Sequence, residues 1–244
     1  MIIETLSTFP DMYASVMGAS MMRIAQEKGI LEFHAHDLRD WTHDRHRTTD
    51  DEPYGGGDGL VMKCAPIFEA YEDICSRARK PYTIFLAPQG RRFDDAAACE
   101  LAKQDHLLFI CGHYEGIDER AYTLADQVIS LGDYVLTSGE LASMVVIDAV
   151  VRKLPGVLGA ETGALGESFA DGLLEYPQYT RPANFNGMEV PPVLLSGNHG
   201  AVDVWRRQQS LERTWRLRPD LLEGVTLTDA DRAFLQTLST TDGR

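Results

Sequence analysis

The chain has 244 residues, 44% hydrophobic and 25% charged, which fits one large or two smaller soluble domains with a buried core. Its formal net charge of −14 argues against nucleic-acid binding through the overall field, so any RNA contact has to use a local basic patch. No run approaches the roughly twenty apolar residues of a membrane-spanning helix, and the opening MIIETLSTFPDMY lacks the basic and apolar regions of a signal peptide.

In chain order, residues 2–9 predict a first strand ended by Pro10. Asp11 opens a helix through about Lys28, with Met12, Val16 and Ile24 among its buried positions, and Gly29 has the residue type of a C′ cap. Residues 31–36 read as a second strand. Residues 40–59, DWTHDRHRTTDDEPYGGGDG, are polar, aperiodic and end in a glycine cluster; they form a long loop, functional or disordered. Within it His43, Arg45, His46 and Arg47 make a local basic cluster. It suits a phosphate or carboxylate, or pairs with Asp50, Asp51 and Glu52.

Residues 66–79 predict a helix with Ile67, Ala70, Tyr71 and Ile74 on one face. Three short apolar runs then end in glycine-containing loops. TIFLA runs into Pro88-Gln89-Gly90, LLFIC into Gly112-His113-Tyr114-Glu115-Gly116, and VISL into Gly132-Asp133-Tyr134-Val135-Leu136, with a helix near residues 94–103. Such runs read as buried strands, and their spacing is typical of parallel α/β units. In those sheets ligands bind outside the carboxyl ends of the strands. The loops either let backbone approach a flat, polar small molecule or only make tight turns. Neither G-x-G-x-x-G after a first strand nor G-x-x-x-x-G-K-[ST] occurs, so the ligand is not held by its phosphates.

Residues 140–153, ELASMVVIDAVVRK, predict a helix apolar on most sides, buried in the core or at a subunit contact and stopped by Pro155. GVLGAETGALGES, at 156–168, reads as a flexible linker and domain boundary. Beyond it Asn198 caps a helix across 202–215. That helix, with the residues just after it, carries Arg206, Arg207, Arg213, Arg216 and Arg218, the best basic face of the chain or a solvated face paired with Glu212. Pro219 and Gly224 bound a short helix, and Thr228 with Asp231 has the spacing of a capping box for the last one. Cys64, Cys75, Cys99 and Cys111 form no C-x-x-C pair, which disfavours zinc. Three of them sit in apolar surroundings, as buried free thiols do, and a reducing cytoplasm fits.

THDRHRTTDDEPYGGGDG, CGHYEGIDER, LGDYVLTSGEL and PPVLLSGNH resemble the bacterial tRNA (guanine-N1-)-methyltransferase family, over residues 6 to about 222. The resemblance implies an α/β fold: a trefoil-knotted SPOUT-type domain with a parallel sheet over 1–158, a linker over 159–174 and a small all-helical tRNA-binding domain over 175–244. It implies methyl transfer from S-adenosylmethionine to N1 of guanosine 37 of tRNA, 3′ of the anticodon. It also implies a cytoplasmic homodimer with the active site at the subunit interface, and no membrane association. The donor pocket it implies is Leu86, Pro88, Gln89, Gly90, Gly112, Tyr114, Glu115, Gly116, Leu131, Gly132, Asp133, Tyr134, Val135, Leu136 and Gly139, with adenine on loop backbone and the 40–59 loop near the donor and the target base. Where the family usually has two glycines this chain has Ser138-Gly139. The resemblance raises magnesium as well, but no metal ligands are assigned.

Methylating a guanine N1 needs a base for the ring proton and a cation for the charge that grows on the adjacent carbonyl oxygen. The family's arginine falls on Arg152. Its base, an aspartate just before Ser-Phe, falls on Glu167, one methylene longer. Asp171 on the same segment is the rival carboxylate, and Arg152 has Asp148 four residues before it as an alternative partner. Glu115 and the Asp118–Arg120 stretch read as structural ion pairs. Two other classes stay open on the residues alone: a nicotinamide-dependent oxidoreductase using the same loops, and a catalytically silent RNA-binding module using the arginine helix.

Overall fold

The structure, a computed structural model, describes residues 1–77, 79–158 and 166–242. It divides into two compact units, Met1–Glu161 and Thr162–Arg244. The 159–165 part of the expected linker lies outside the described residues.

The first unit runs β1 (Ile2–Ser7), a 3₁₀ turn (Pro10–Tyr13), α1 (Ala14–Met17), α2 (Ser20–Glu27), β2 (Glu32–Asp37), β3 (Asp50–Asp51), β4 (Val61–Met62), α3 (Cys64–Arg77), β5 (Tyr82–Arg92), α4 (Asp95–Leu101), β6 (His106–Ile110), β7 (Gln127–Ser130) and α5 (Gly139–Val151). Five strands make one sheet in the order β2-β1-β6-β5-β7, and every pair is parallel. The central strand β6 is buried along its whole length. Its side chains alternate between two cores: Leu107 and Phe109 pack with α2, α4 and α5, while Leu108 and Ile110 pack with α3. A strand covered on both faces has no polar side, which is why these segments read as unbroken apolar runs.

The single helix expected over 11–28 is interrupted. The chain leaves helical geometry at Gly18 and Ala19, the latter fully extended at φ −127° and ψ 163°, and restarts at Ser20. Glycine and serine are weak helix formers. The break shifts the buried face to Tyr13, Met17, Met22 and Ala25, while Met12 and Val16 are exposed. The Tyr13 hydroxyl, deep in the core, meets Ser143 Oγ at 2.6 Å and Cys111 Sγ at 3.1 Å. Burial pushes the Cys111 thiol up to about 12. Of the four cysteines only Cys111 is buried; Cys64 and Cys75 are half-buried and Cys99 is exposed, because Cys99 faces outward on α4.

The 40–59 loop is braced. Asp44 accepts from the backbone N–H of His46 and Thr48, Arg47 pairs with Asp40, and His43 meets Glu69 at 2.9 Å. These partners differ from the expected Asp50, Asp51 and Glu52. Asp50 and Asp51 instead form β3, antiparallel to β4.

The second unit holds a hairpin of β8 (Asn184–Phe185) and β9 (Met188–Glu189), then α6 (Pro192–Leu195), α7 (His199–Leu217), a 3₁₀ turn (Pro219–Gly224) and α8 (Asp229–Asp242). The hairpin departs from an all-helical expectation. Asn198 caps α7 by accepting from the Ala201 N–H at 3.2 Å. The capping box is reciprocal: Thr228 N–H donates to Asp231 and Asp231 N–H donates to Thr228 Oγ1. The basic face is largely neutralised. Arg207 lies between Asp171 (2.7 Å) and Asp231 (3.0 Å), Arg216 pairs with Glu212 and Arg218 with Asp220.

The Arg207 guanidinium beside it holds Asp231 down at about 2, from an ordinary 3.8. A carboxylate depressed in the folded state stabilises it above the unfolded value and loses that contribution as the pH falls toward the folded one. Asp231→Ala should therefore lower stability at pH 5 by about 1–3 kcal/mol, through the lost cap and charge-assisted bonds. Its deficit in urea midpoint against the parent chain should shrink as the pH is lowered from 5 to 3. A deficit independent of pH would refute the assignment.

Candidate active site

Strands β6, β5 and β7 lie side by side, and the carboxyl ends of β6 and β7 with the interrupted middle of β5 open on one cavity of about 190 Å³. Leu86 and Pro88 line it from the interrupted middle of β5, Gly112, Tyr114, Glu115 and Gly116 from the loop after β6, and Leu131, Gly132, Tyr134, Val135, Leu136 and Gly139 from the loop after β7. Sequence reasoning had assigned all of these. It missed Ala87, His113, Ile117, Tyr122, Ile129, Ser130, Thr137, Ser138 and Ala142, which also line the cavity. Several are neighbours of assigned residues, but no local pattern marks Tyr122 or Ala142, which arrive through packing.

Three assigned residues lie off the lining. Gln89 is exposed and reaches the Tyr122 hydroxyl. Asp133 is on the exposed part of its loop. Gly90 packs against β7, where a Cβ would fall 2.6 Å from the backbone of Val128 and Ile129. Residues 87–90 leave the ladder and rejoin it, so that Ile129 is in register with both Leu86 and Arg91.

Two features fix the loop after β6. Its partner is the end of the long loop: Glu115 N–H donates to Leu60 O, Met62 N–H to Gly116 O and Asp118 N–H to Met62 O. The 40–59 segment thus leads directly into the brace of the cavity wall. Tyr114 is held at φ +58°, a left-handed conformation that costs an aromatic residue about 1–3 kcal/mol and concentrates at ligand sites. From the other side, Gly139 opens α5 by donating to Gly112 O at 2.7 Å. A Cβ on Gly139 would lie 2.6 Å from Gly112 N and 2.9 Å from Cys111 Cα. The close pass therefore falls on Gly139, and Ser138 fits in extended backbone beside it, with its Oγ buried and unpartnered among the described residues.

The lining carries one carboxylate, Glu115, and neither arginine nor lysine. A pyrophosphate-bearing dinucleotide ordinarily meets a helix N-terminus behind a glycine fingerprint or a cationic side chain. This cavity suits instead an uncharged or cationic ligand with a flat group. Asp118 pairs with Arg120 at 2.6 Å, as expected of a structural ion pair.

Of the two catalytic candidates, Arg152 caps the C-terminus of α5 in the first unit and is half-buried. Glu167 belongs to the second unit, half-buried in a tight turn where its carbonyl accepts from Ala170 N–H and Phe169 N–H donates to Leu173 O at 2.7 Å. In the same turn Asp171 is committed, with one oxygen on Arg207 and the other on the Leu173 N–H. Among the described residues no three His, Cys, Asp or Glu side chains group as a metal site, and no helix is long and apolar enough to cross a membrane.

A parallel α/β layer with a cleft at the ends of adjacent strands, lined by neither arginine nor lysine, has the form of a small-ligand site. Sequence comparison gives the particular family. Residues 1–224 match the family model described as tRNA (Guanine-1)-methyltransferase TrmD, and the chain belongs to that family. It is 52% identical to the tRNA (guanine-N(1)-)-methyltransferase of Moorella thermoacetica over 99% of this chain and 98% of the relative. It is 54% identical to that of Carboxydothermus hydrogenoformans over 96% and 92%, and 52% identical to that of Syntrophotalea carbinolica over 98% and 96%.

Proposed function

We propose that the chain transfers the methyl group of S-adenosylmethionine to N1 of guanosine 37 in tRNA, 3′ of the anticodon. Family membership carries the reaction class. The observation that carries the donor is the cavity itself: two loops and an interrupted strand with close-packed backbone, one carboxylate and neither arginine nor lysine, a lining suited to a sulfonium compound and not to a dinucleotide.

Bound there, S-adenosylmethionine would supply an electrophilic methyl group. The interrupted middle of β5 and the loops after β6 and β7 would hold it: backbone of residues 131–136 and Gly139 against the adenine, Leu86, Pro88 and Gly112–Gly116 around the remainder. Holding the reacting atoms in line is worth roughly 7–11 kcal/mol of barrier. With the methyl group delivered to N1 and its bond to sulfur given up, the Glu167 carboxylate would take the N1 proton. Arg152 stabilises the charge that develops on O6.

The same reading includes a trefoil knot in the first unit, a tRNA-binding role for the second, and a homodimer whose active site lies at the subunit interface. Two backbone passes that admit only glycine, at Gly90 and Gly139, support a closely threaded chain. For the dimer the support is an exposed apolar face: Leu141 (43% exposed) and Val145 (54%) on α5, with Met12 and Val16 on the turn and helix packed beside it. Exposed apolar clusters of this kind mark association surfaces, and a monomer at micromolar concentration by sedimentation would remove that part.

Incubation with labelled S-adenosylmethionine and unmodified tRNA, followed by nucleoside analysis, tests the whole reading; N1-methylguanosine is the expected product. Another methylated base would overturn the position, and no transfer would overturn the activity. In a parallel thermal unfolding series S-adenosylhomocysteine should raise the transition and NADH should not.

A further inference from the structure

The second unit contains a cavity of its own, about 270 Å³, between residues 176–179 and the start of α7. Its wall is aromatic. The Tyr179 and Trp205 rings lie 6.3 Å apart at 54°, and the Arg206 guanidinium sits 4.9 Å over the Tyr176 ring. His199 stands on the rim. Tyr179 is 48% exposed and Trp205 half-buried, so these rings are not filling a core. The space is below the roughly 300–1,000 Å³ of a drug-sized site.

The charge balance gives this pocket its meaning. A chain of net charge −14 cannot hold RNA by its overall field. Arg207, Arg216 and Arg218 are occupied by acidic partners at 2.7–3.1 Å. Arg206 differs: its contact with Asp203 is 3.8 Å long and exposed, a pair worth little in water. Stacking of a base on an aromatic face needs no net charge and contributes substantially for every base type.

We propose that this pocket takes an unpaired base of the tRNA substrate, stacked against Tyr179 and Trp205, with its phosphate toward Arg206 and His199. The proposal rests on reading the second unit as a tRNA-binding one. The sequence singled out the arginines of α7; the geometry transfers the weight to the aromatic residues beside one of them.

The test uses the full chain. Trp205→Leu and Tyr179→Leu should each weaken tRNA binding roughly tenfold, with S-adenosylhomocysteine affinity and the thermal transition unchanged, while Trp205→Phe retains most of the binding. If Trp205→Leu lowers the transition, Tyr179→Leu at its exposed position carries the test. Ultraviolet cross-linking to tRNA should place nucleotide adducts on peptides containing residues 176–179 or 205. Unchanged affinity in Tyr179→Leu, with adducts elsewhere in 166–242, overturns the pocket but leaves the RNA-binding reading of the unit. Adducts confined to 1–158 overturn both. Equal weakening by Trp205→Phe and Trp205→Leu overturns stacking as the mode of contact.

Discussion

Replacing Glu167 by glutamine lowers single-turnover methyl transfer to tRNA by about 10²–10⁴-fold, the usual contribution of a positioned general base, with donor affinity unchanged. Glutamine keeps the size and hydrogen-bonding reach of the side chain but cannot take the N1 proton. Glu167→Asp retains more activity than Glu167→Gln, because the carboxylate survives and only its reach is shortened. Asp171→Asn provides the contrast. Asp171 already holds Arg207 at 2.7 Å, so its loss should appear as a lower unfolding midpoint and not as a comparable rate defect. If Asp171→Asn removed the chemistry and Glu167→Gln spared it, the two roles would exchange.

What could be read from the residues follows the physics of each element. The strand-to-loop junctions after β6 and β7 were legible because a parallel strand buried on both faces has no alternation to disguise it, as in the fully buried β6; the junction expected at Pro88-Gln89-Gly90 instead lies inside β5, which rejoins the ladder and runs on to Arg92. The capping residues Asn198 and Thr228 were legible because capping is local. The helix break near Gly18 was not, since the periodicity of the apolar residues continues across it. Nor were the ion pairs of Arg207: the partners Asp171 and Asp231 lie 36 and 24 residues away, a separation no helical spacing reveals, whereas Arg216 pairs with Glu212 at the expected i,i+4 spacing. The same holds for the cavity. Its loop residues were found from glycines that end strands, whereas Tyr122 and Ala142 reach it through packing. At Ser138-Gly139 the family resemblance drew attention to the pair, and the coordinates decide which of the two positions is sterically closed.

That distinction leads to the second large effect. Gly139→Ala should destabilise the chain by about 1–3 kcal/mol and weaken S-adenosylhomocysteine binding by at least about tenfold, equivalent to 1.4 kcal/mol. The added methyl would meet Gly112 N at 2.6 Å and Cys111 Cα at 2.9 Å. Both are backbone atoms at the end of the central strand, so neither can swing aside as a flexible side chain would. Relief requires α5 and the loop after β6 to separate, which breaks the 2.7 Å bond from Gly139 N–H to Gly112 O and displaces the wall that carries Tyr114 and Glu115. Ser138→Gly is the control on the adjacent residue. Ser138 is extended at φ −152° and its Oγ makes no capping bond, so removing the side chain leaves affinity close to that of the parent. Equal tolerance of both substitutions, measured by thermal unfolding and calorimetric titration, would mean that the contact between the start of α5 and the strand end does not shape the donor cavity.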